Sequence, residues 1–147
     1  MPVAVVIPVL GVEAQVKPVD TDPRTNKLQS PSDFDTVGWY RGGPRPGERG
    51  AAVLVGHLDS LDGPAVFAEL SELRPRDDIF LVDSRGKTRR FSVIGAAQHR
   101  KADFPTNEVY SQDNRPVLRL ITCAGTFDRS TGHYTDNLII YAAPRRG

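Results

Sequence analysis

The chain has little of what builds covalent or metal cross-links. Its 147 residues include a single cysteine, Cys123. A lone thiol excludes an intramolecular disulfide and a cluster of thiolate metal ligands. A chain of this length buries a sizeable core without either, so the fold must depend on packing alone.

Long apolar runs and excess charge are also missing. No run of about 18 apolar residues is present, which excludes a membrane-spanning helix within the sequence. The apolar stretch 3–10 is short, lacks a basic flank and contains Pro8, so it indicates a strand rather than a signal peptide. The net charge of +1 gives no electrostatic footprint for nucleic acid.

Proline and glycine, by contrast, are abundant, with 12 and 13 residues. They punctuate short apolar or alternating segments, which predicts a turn-rich, all-β chain that forms one domain. The predicted strands are 3–7, 12–19, 37–40, 51–57, 78–83, 88–97, 117–122 and 137–142. Seven or eight short strands favour a closed or nearly closed β-barrel. We expect a short helix over 65–70 and two irregular segments, 100–115 and 124–136.

Cys123 ends the apolar strand 117–122, just before the small residues Ala124 and Gly125. Free cysteines are mostly buried residues that pack as small hydrophobes. At the end of a strand, however, the thiol could also open on a cleft as a nucleophile. That second role needs a base or a cation nearby to lower the pKa of the thiol.

His57 ends another apolar strand in the same way, directly after Gly56. It is either a structural histidine or a general acid and base. If its strand and the strand of Cys123 are neighbours, both side chains can open on one cleft. Gly56 would allow the backbone or a ligand to approach closely.

Arg129 lies in the segment that begins at Cys123, so it could return to the thiol and hold an oxyanion. The alternative is a solvated arginine paired with Asp128. We interpret His99 and His133 as surface or loop residues, although His133 could come near the site. No second histidine or cysteine at ligand spacing accompanies His57, so neither a metal nor a cofactor is predicted.

The motifs around these residues resemble the sortase family over about 33–143. The segments that carry the resemblance are Leu120-Ile121-Thr122-Cys123, Gly56-His57-Leu58-Asp59, the helix-like 63–70, Val37-Gly38-Trp39-Tyr40, Phe127-Asp128, Tyr134 and Asp136-Asn137. Their order and chemistry are most similar to the actinobacterial class E and F sortases. The resemblance implies an eight-stranded sortase-type β-barrel with short connecting helices, formed as a single catalytic domain by residues 1–147.

The resemblance also implies a reaction. Sortases are cysteine transpeptidases of Gram-positive cells that cleave a Leu-Pro-X-Thr-Gly-like sorting signal between Thr and Gly. By position, Cys123 would be the nucleophile, His57 the general acid and base, and Thr122 a substrate-binding residue of the peptide groove. The segment 100–116 would shape the substrate pocket.

The family's third catalytic residue is an arginine that many sortases place about 12 or 13 positions after the cysteine. Those positions are Thr135 and Asp136 here, and the nearest arginine is Arg129, to which we assign the role. The expected partners are a sorting-signal peptide and an amine such as a peptidoglycan precursor. We expect a monomer at the outer face of the membrane, held by a native N-terminal anchor that the sequence does not include.

Two alternatives remain beside an active sortase. One is a sortase-fold domain that binds sorting peptides with weak or no turnover. The absence of an arginine at the family's usual position supports this alternative. The other is a structural barrel with a packed cysteine, which requires every motif match to be a coincidence.

Overall fold

The computed structural model describes residues 1–25, 27–61, 63–110 and 114–145, with Cys123 and Gly125 described by their backbone alone. The strands are β1 (Pro2–Ile7), β2 (Val12–Val19), β3 (Val37–Tyr40), β4 (Gly50–Val55), β5 (Asp59–Ser60), β6 (Gly63–Pro64), β7 (Asp78–Asp83), β8 (Thr88–Arg100), β9 (Pro116–Asp128) and β10 (His133–Pro144). Short 3₁₀ helices cover Pro8–Leu10, Leu70–Glu72 and Lys101–Asp103, and the helix α1 covers Thr106–Val109.

Eight of these strands close into a barrel in the order β1-β2-β3-β4-β9-β10-β8-β7. The β2–β3 and β4–β9 pairs are parallel, and the other neighbours are antiparallel. β5 and β6 form a separate two-stranded hairpin after β4. The predicted all-β, eight-stranded barrel with few short helices is therefore confirmed.

The barrel interior is the main core. Strand alternation sends Leu54 of β4 and Leu118 and Leu120 of β9 inward, where each is fully buried. The opposite faces of these strands are buried as well, because Val53 and Ile121 pack with Val109 and Ile139 in a second cluster. Every residue of β4 is buried, which explains its continuous apolar sequence.

The expectation of an irregular segment over 124–136 is wrong. β9 continues to Asp128 and β10 begins at His133, so this region is a long hairpin. Local contacts hold it together: the rings of Phe127 and Tyr134 meet edge to face at 5.3 Å, and the Gly132 amide donates to the Asp128 carbonyl at 2.9 Å. Cross-strand aromatic pairs of this kind stabilise a ladder whose sequence is otherwise polar.

The expected helix over 65–70 is also wrong in its bounds. Pro64 belongs to β6, and the backbone after Ala65 makes turns whose hydrogen bonds span three residues, such as Ala68 to Ala65 and Leu70 to Phe67. This pattern gives a short 3₁₀ helix that begins only at Leu70. Part of the segment expected to be irregular, 100–115, is structured too: β8 reaches Arg100, and a 3₁₀ turn and α1 follow, while 111–113 lie outside the described residues.

Candidate active site

The site begins with the register of the parallel pair β4 and β9. Val55 lies opposite Ile121, and the Gly56 amide donates to the Ile121 carbonyl at 3.1 Å. His57 lies two residues beyond Val55, just after the end of β4, and Cys123 lies two residues beyond Ile121, within β9. The condition for a shared cleft, that the two strands be neighbours, is therefore met at the level of the backbone.

Thr122 fixes this arrangement from the inside of the barrel. Its side chain is buried, at 2% exposure, and its hydroxyl donates to the Gly56 carbonyl at 2.8 Å. This bond joins the residue before the cysteine to the residue before the histidine. The side chain is thus used as a tie between two strands, and a role for Thr122 in lining the peptide groove stays a prediction.

The ring of His57 is held by the segment that precedes β3. Its Nε2 lies 2.7 Å from the carbonyl oxygen of Pro31. Because a carbonyl oxygen only accepts, Nε2 carries a proton in this contact, and Nδ1 is the acceptor of the neutral ring. The ring of Phe34 lies against the imidazole, with centroids 4.6 Å apart. The histidine is thus oriented by two contacts that are distant in sequence.

Gly56 is required by close packing, as its position suggested, although the neighbour is not a ligand. A Cβ at this residue would lie 2.7 Å from the ring of Phe67, which is fully buried. The Phe67 amide also donates to the His57 carbonyl at 3.0 Å. The phenylalanine therefore sets the backbone on which His57 stands.

A small cavity of about 160 Å³ opens beside His57. Across it, the Tyr134 hydroxyl donates to Asp59 Oδ2 at 2.5 Å, which ties the start of β10 to the β5–β6 hairpin. The lining residues are His57, Leu58, Asp59, Lys101, Phe127, Gly132, His133 and Tyr134. His133 thus comes near the site, as the sequence allowed, whereas His99 lies on β8 opposite Asn137.

The structure does not bring Arg129 to the backbone of Cys123. Arg129 is exposed and stands in the turn of the β9–β10 hairpin, after six residues of chain from Cys123, five of them in the strand. At about 3.3 Å per residue, that places it about 20 Å along the strand. The predicted pairing with Asp128 is absent among the described residues, because the Asp128 carboxylate instead accepts the Ser130 amide at 2.9 Å and the Ser130 hydroxyl at 2.6 Å. These hydrogen bonds, the hydroxyl first, lower the pKa of Asp128.

The positions at which many sortases carry the arginine are occupied by other contacts. The Thr135 hydroxyl accepts the Thr126 amide at 3.2 Å, where the register of β9 and β10 shifts. Asp136 accepts a hydrogen bond from Gln98 at 2.7 Å. A different cationic residue, Lys101, is among those that line the cavity beside His57.

Asn137 lies directly opposite Cys123 in the β9–β10 ladder. Its Oδ1 is buried and has no hydrogen-bond partner in the part of the chain that the structure describes. A buried amide oxygen without a partner is costly, which makes Asn137 a candidate for contact with a ligand. Sequence reasoning did not single it out, because its importance comes only from the register.

An aromatic cluster covers the outer face of β4, β9 and β10 next to these residues. Tyr110 packs edge to face on Tyr40, with ring centroids 5.6 Å apart. Burial, and to a lesser degree Tyr40, raises the pKa of Tyr110 to about 12. Phe104 and Tyr141 pack against the same cluster, so the segment 101–110 rests on an apolar part of the barrel wall.

The comparisons with known proteins agree with this architecture. The family model of the sortase domain matches residues 5–145. The chain therefore belongs to the sortase family, a family of cell-surface transpeptidases. No curated protein sequence matches it.

Solved structures of sortases share the fold. The chain is similar to a lid mutant of sortase A from Corynebacterium diphtheriae, with 19% identity and a TM-score of 0.77 over 99% of this chain and 70% of that one. It is similar to sortase C-1 from Actinomyces oris, with 23% identity and a TM-score of 0.75 over 99% and 72%. It is also similar to sortase C from Streptococcus pneumoniae, with 17% identity and a TM-score of 0.76 over 99% of this chain and 67% of that one. Within the described residues, no helix has the length and apolar character to cross a membrane.

Proposed function

We propose that the protein is a cysteine transpeptidase of the class E or F type. It cleaves a Leu-Pro-X-Thr-Gly-like sorting signal between Thr and Gly and transfers the threonyl acyl group to an amine of the cell wall or of a pilin. The observation that carries the proposal is the parallel register of β4 and β9, in which His57 follows the paired Val55 by two residues and Cys123 follows its partner Ile121 by two residues.

In the first half-reaction the Cys123 sulfur attacks the threonine carbonyl carbon, and the thiol proton passes to His57. The carbon–nitrogen bond to glycine breaks, His57 gives a proton to the leaving amine, and a thioester remains on the enzyme. In the second half-reaction an amine attacks the thioester and loses a proton to His57. A new amide forms and the thiol is regenerated, so no cofactor takes part.

The oxyanion of each tetrahedral intermediate needs donors. We propose Arg129 as the cationic group, acting when the exposed hairpin tip bends toward His57 around bound peptide. Lys101 and Asn137 are the alternatives supported by position, since one lines the cavity beside His57 and the other lies opposite Cys123. Thr122 contributes through its hydrogen bond to the Gly56 carbonyl, which fixes the backbone next to His57 and so helps to position the imidazole.

A second function follows if none of Arg129, Lys101 and Asn137 stabilises the oxyanion. The domain would then bind sorting peptides and turn them over weakly or not at all. The observation in favour is that Thr135 and Asp136 occupy the usual arginine positions and that Arg129 lies in the hairpin turn. Under either function the partner is a secreted surface protein at the cell exterior, and we expect the domain to be monomeric.

The test is mass spectrometry of products from a Leu-Pro-X-Thr-Gly and a Leu-Ala-X-Thr-Gly peptide, each with and without an amine acceptor. Cleavage after threonine with ligation that depends on the amine supports a transpeptidase. Peptide binding by calorimetry without any product supports the binding domain. Cleavage at another bond would overturn the proposed specificity.

A further inference from the structure

A second cavity, of about 400 Å³, lies at the end of the barrel opposite His57. β4 begins there and runs toward His57, and the turn between β7 and β8 closes it from the other side. Its lining residues are Met1, Pro2, Arg45, Pro46, Glu48, Leu81, Val82, Asp83, Ser84, Arg85 and Arg89. The proposed transpeptidase reaction uses none of them.

Three arginines stand around this cavity: Arg45, Arg85 and Arg89. Within the described residues, none of their guanidinium groups takes part in a salt bridge or a side-chain hydrogen bond. This contrasts with Arg41 and Arg90, which form two-bond ion pairs with aspartates. Three arginines that make no salt bridge or side-chain hydrogen bond among the described residues therefore line one cavity.

One oxygen of each of the two carboxylates in the cavity wall accepts backbone amides. Asp83 Oδ1 accepts the amides of Arg85 at 2.9 Å and Lys87 at 3.0 Å, which form the tight β7–β8 turn. Glu48 Oε1 accepts the amide of Arg45 at 2.7 Å. The carboxylates thus shape the turns that present the arginines, and three guanidinium charges exceed two carboxylate charges.

The position of Arg89 depends on a glycine. Gly47 has a φ of +96°, and a Cβ there would lie 2.4 Å from the guanidinium carbon of Arg89. A hydrogen bond also holds the loop between β3 and β4 to the barrel: Trp39 Nε1 donates to the Pro44 carbonyl at 3.1 Å. Arg89 is partly buried, and its guanidinium lies against this loop at Gly47.

We propose that this cavity, the arginine pocket, binds a phosphate group of a phosphate ester. Guanidinium groups match phosphate oxygens in a two-bond fork, and several of them neutralise its charge. The volume leaves room for the organic part of the ester beside the phosphate. The pocket is independent of the peptide reaction, because it lies at the other end of β4.

The experiment is calorimetric titration of the full chain with inorganic phosphate and with glycerol phosphate, at fixed ionic strength in chloride buffer. We expect saturable binding that weakens at least tenfold in the triple variant Arg45→Ala, Arg85→Ala and Arg89→Ala. The matched control is Arg24→Ala, an exposed arginine outside the pocket, which should bind as the parent does. Sedimentation with phosphatidylglycerol vesicles, against phosphatidylcholine vesicles, shows whether the phosphate is that of a lipid or of a soluble ester.

Two further variants separate a built site from general charge. Replacing all three arginines by lysine keeps the charge and removes the forks, and we expect most of the affinity to be lost. Gly47→Ala displaces Arg89, so it should weaken binding about as much as Arg89→Ala. The proposal is overturned if neither phosphate nor vesicles bind, if the alanine triple variant binds like the parent, or if the lysine triple variant binds equally well.

Discussion

The paired part of β4 and β9 next to His57 and Cys123 differs sharply from the tip of the β9–β10 hairpin, which carries Arg129. The first region is enclosed: Thr122 and Phe67 are buried, and their contacts with Gly56 and His57 fix the backbone. The hairpin tip is exposed, and its hydrogen bonds are local. The comparison teaches that the barrel fixes the backbone of two of the proposed catalytic residues, whereas the third would act only if the turn moved.

The strongest test of this comparison removes the imidazole. His57→Ala should lower kcat for peptide cleavage by about 10²–10⁴-fold, because general acid and base catalysis contributes in this range. Steady-state kinetics with the preferred peptide measures the effect. His99→Ala is the control, since His99 lies on β8, outside the cavity beside His57, and it should leave kcat unchanged.

Arg129→Ala asks whether the exposed hairpin takes part at all. If its guanidinium stabilises the oxyanion, kcat should fall by about 10²-fold with a smaller change in KM. Lys101→Ala and Asn137→Asp are measured beside it, and Gln15→Glu on the exposed side of β2 controls for the change from amide to carboxylate. A normal rate in Arg129→Ala with a loss in one of the other two would transfer the role to that residue.

Gly56→Ala perturbs the enclosed region without touching a proposed catalytic side chain. The added methyl group meets the ring of Phe67 at 2.7 Å, and overpacking of this kind costs about 1–3 kcal/mol. Thermal unfolding should show a Tm lower by about 2–4 °C for each kcal/mol. Gly95→Ala is the matched control, because no atom lies within 4 Å of its added Cβ. Equal Tm values for the two variants would contradict the packing argument.

Tyr110 gives the smallest effect, on stability at high pH. Its pKa is raised from the ordinary 10 to about 12, so the folded state favours the neutral phenol. The corresponding stabilisation is complete below about pH 10 and is lost as the pH rises to about 12. In Tyr110→Phe this part of the pH dependence of unfolding should disappear. Denaturant midpoints measured from pH 9 to 12 check it, and identical slopes for both chains would contradict the burial of the phenol.

Much of the fold was predictable because burial leaves a clear pattern. The continuous apolar run of β4 and the alternation of apolar and polar residues in β2 predicted these two strands. The turn at 84–87 predicted the β7–β8 hairpin. The strands after Cys123 were not predicted, because their sequence is mostly polar. The contact that stabilises them is the pair of Phe127 and Tyr134, which meet across the ladder. Such cross-strand pairs have no local signal in the sequence.

The candidate site was predictable only in part, for a similar reason. His57 and Cys123 stood out because each follows an apolar run of the sequence, although β9 continues past Cys123 to Asp128. The contacts of Pro31 and Phe34 with His57, and the bond between Tyr134 and Asp59, join residues far apart in the chain. They become visible only when the barrel closes. The position of Asn137 likewise depends on a register that no single segment specifies.

The most direct test of the central claim is to trap the acyl-enzyme. The protein is mixed with a sorting-signal peptide without an amine acceptor, quenched in acid and measured as intact mass, followed by peptide mapping. The account predicts a thioester-linked acyl group on Cys123 that disappears when an amine is added, and no adduct in Cys123→Ala. Peptide cleavage that persists in Cys123→Ala, or an acyl group on any other residue, would contradict the account.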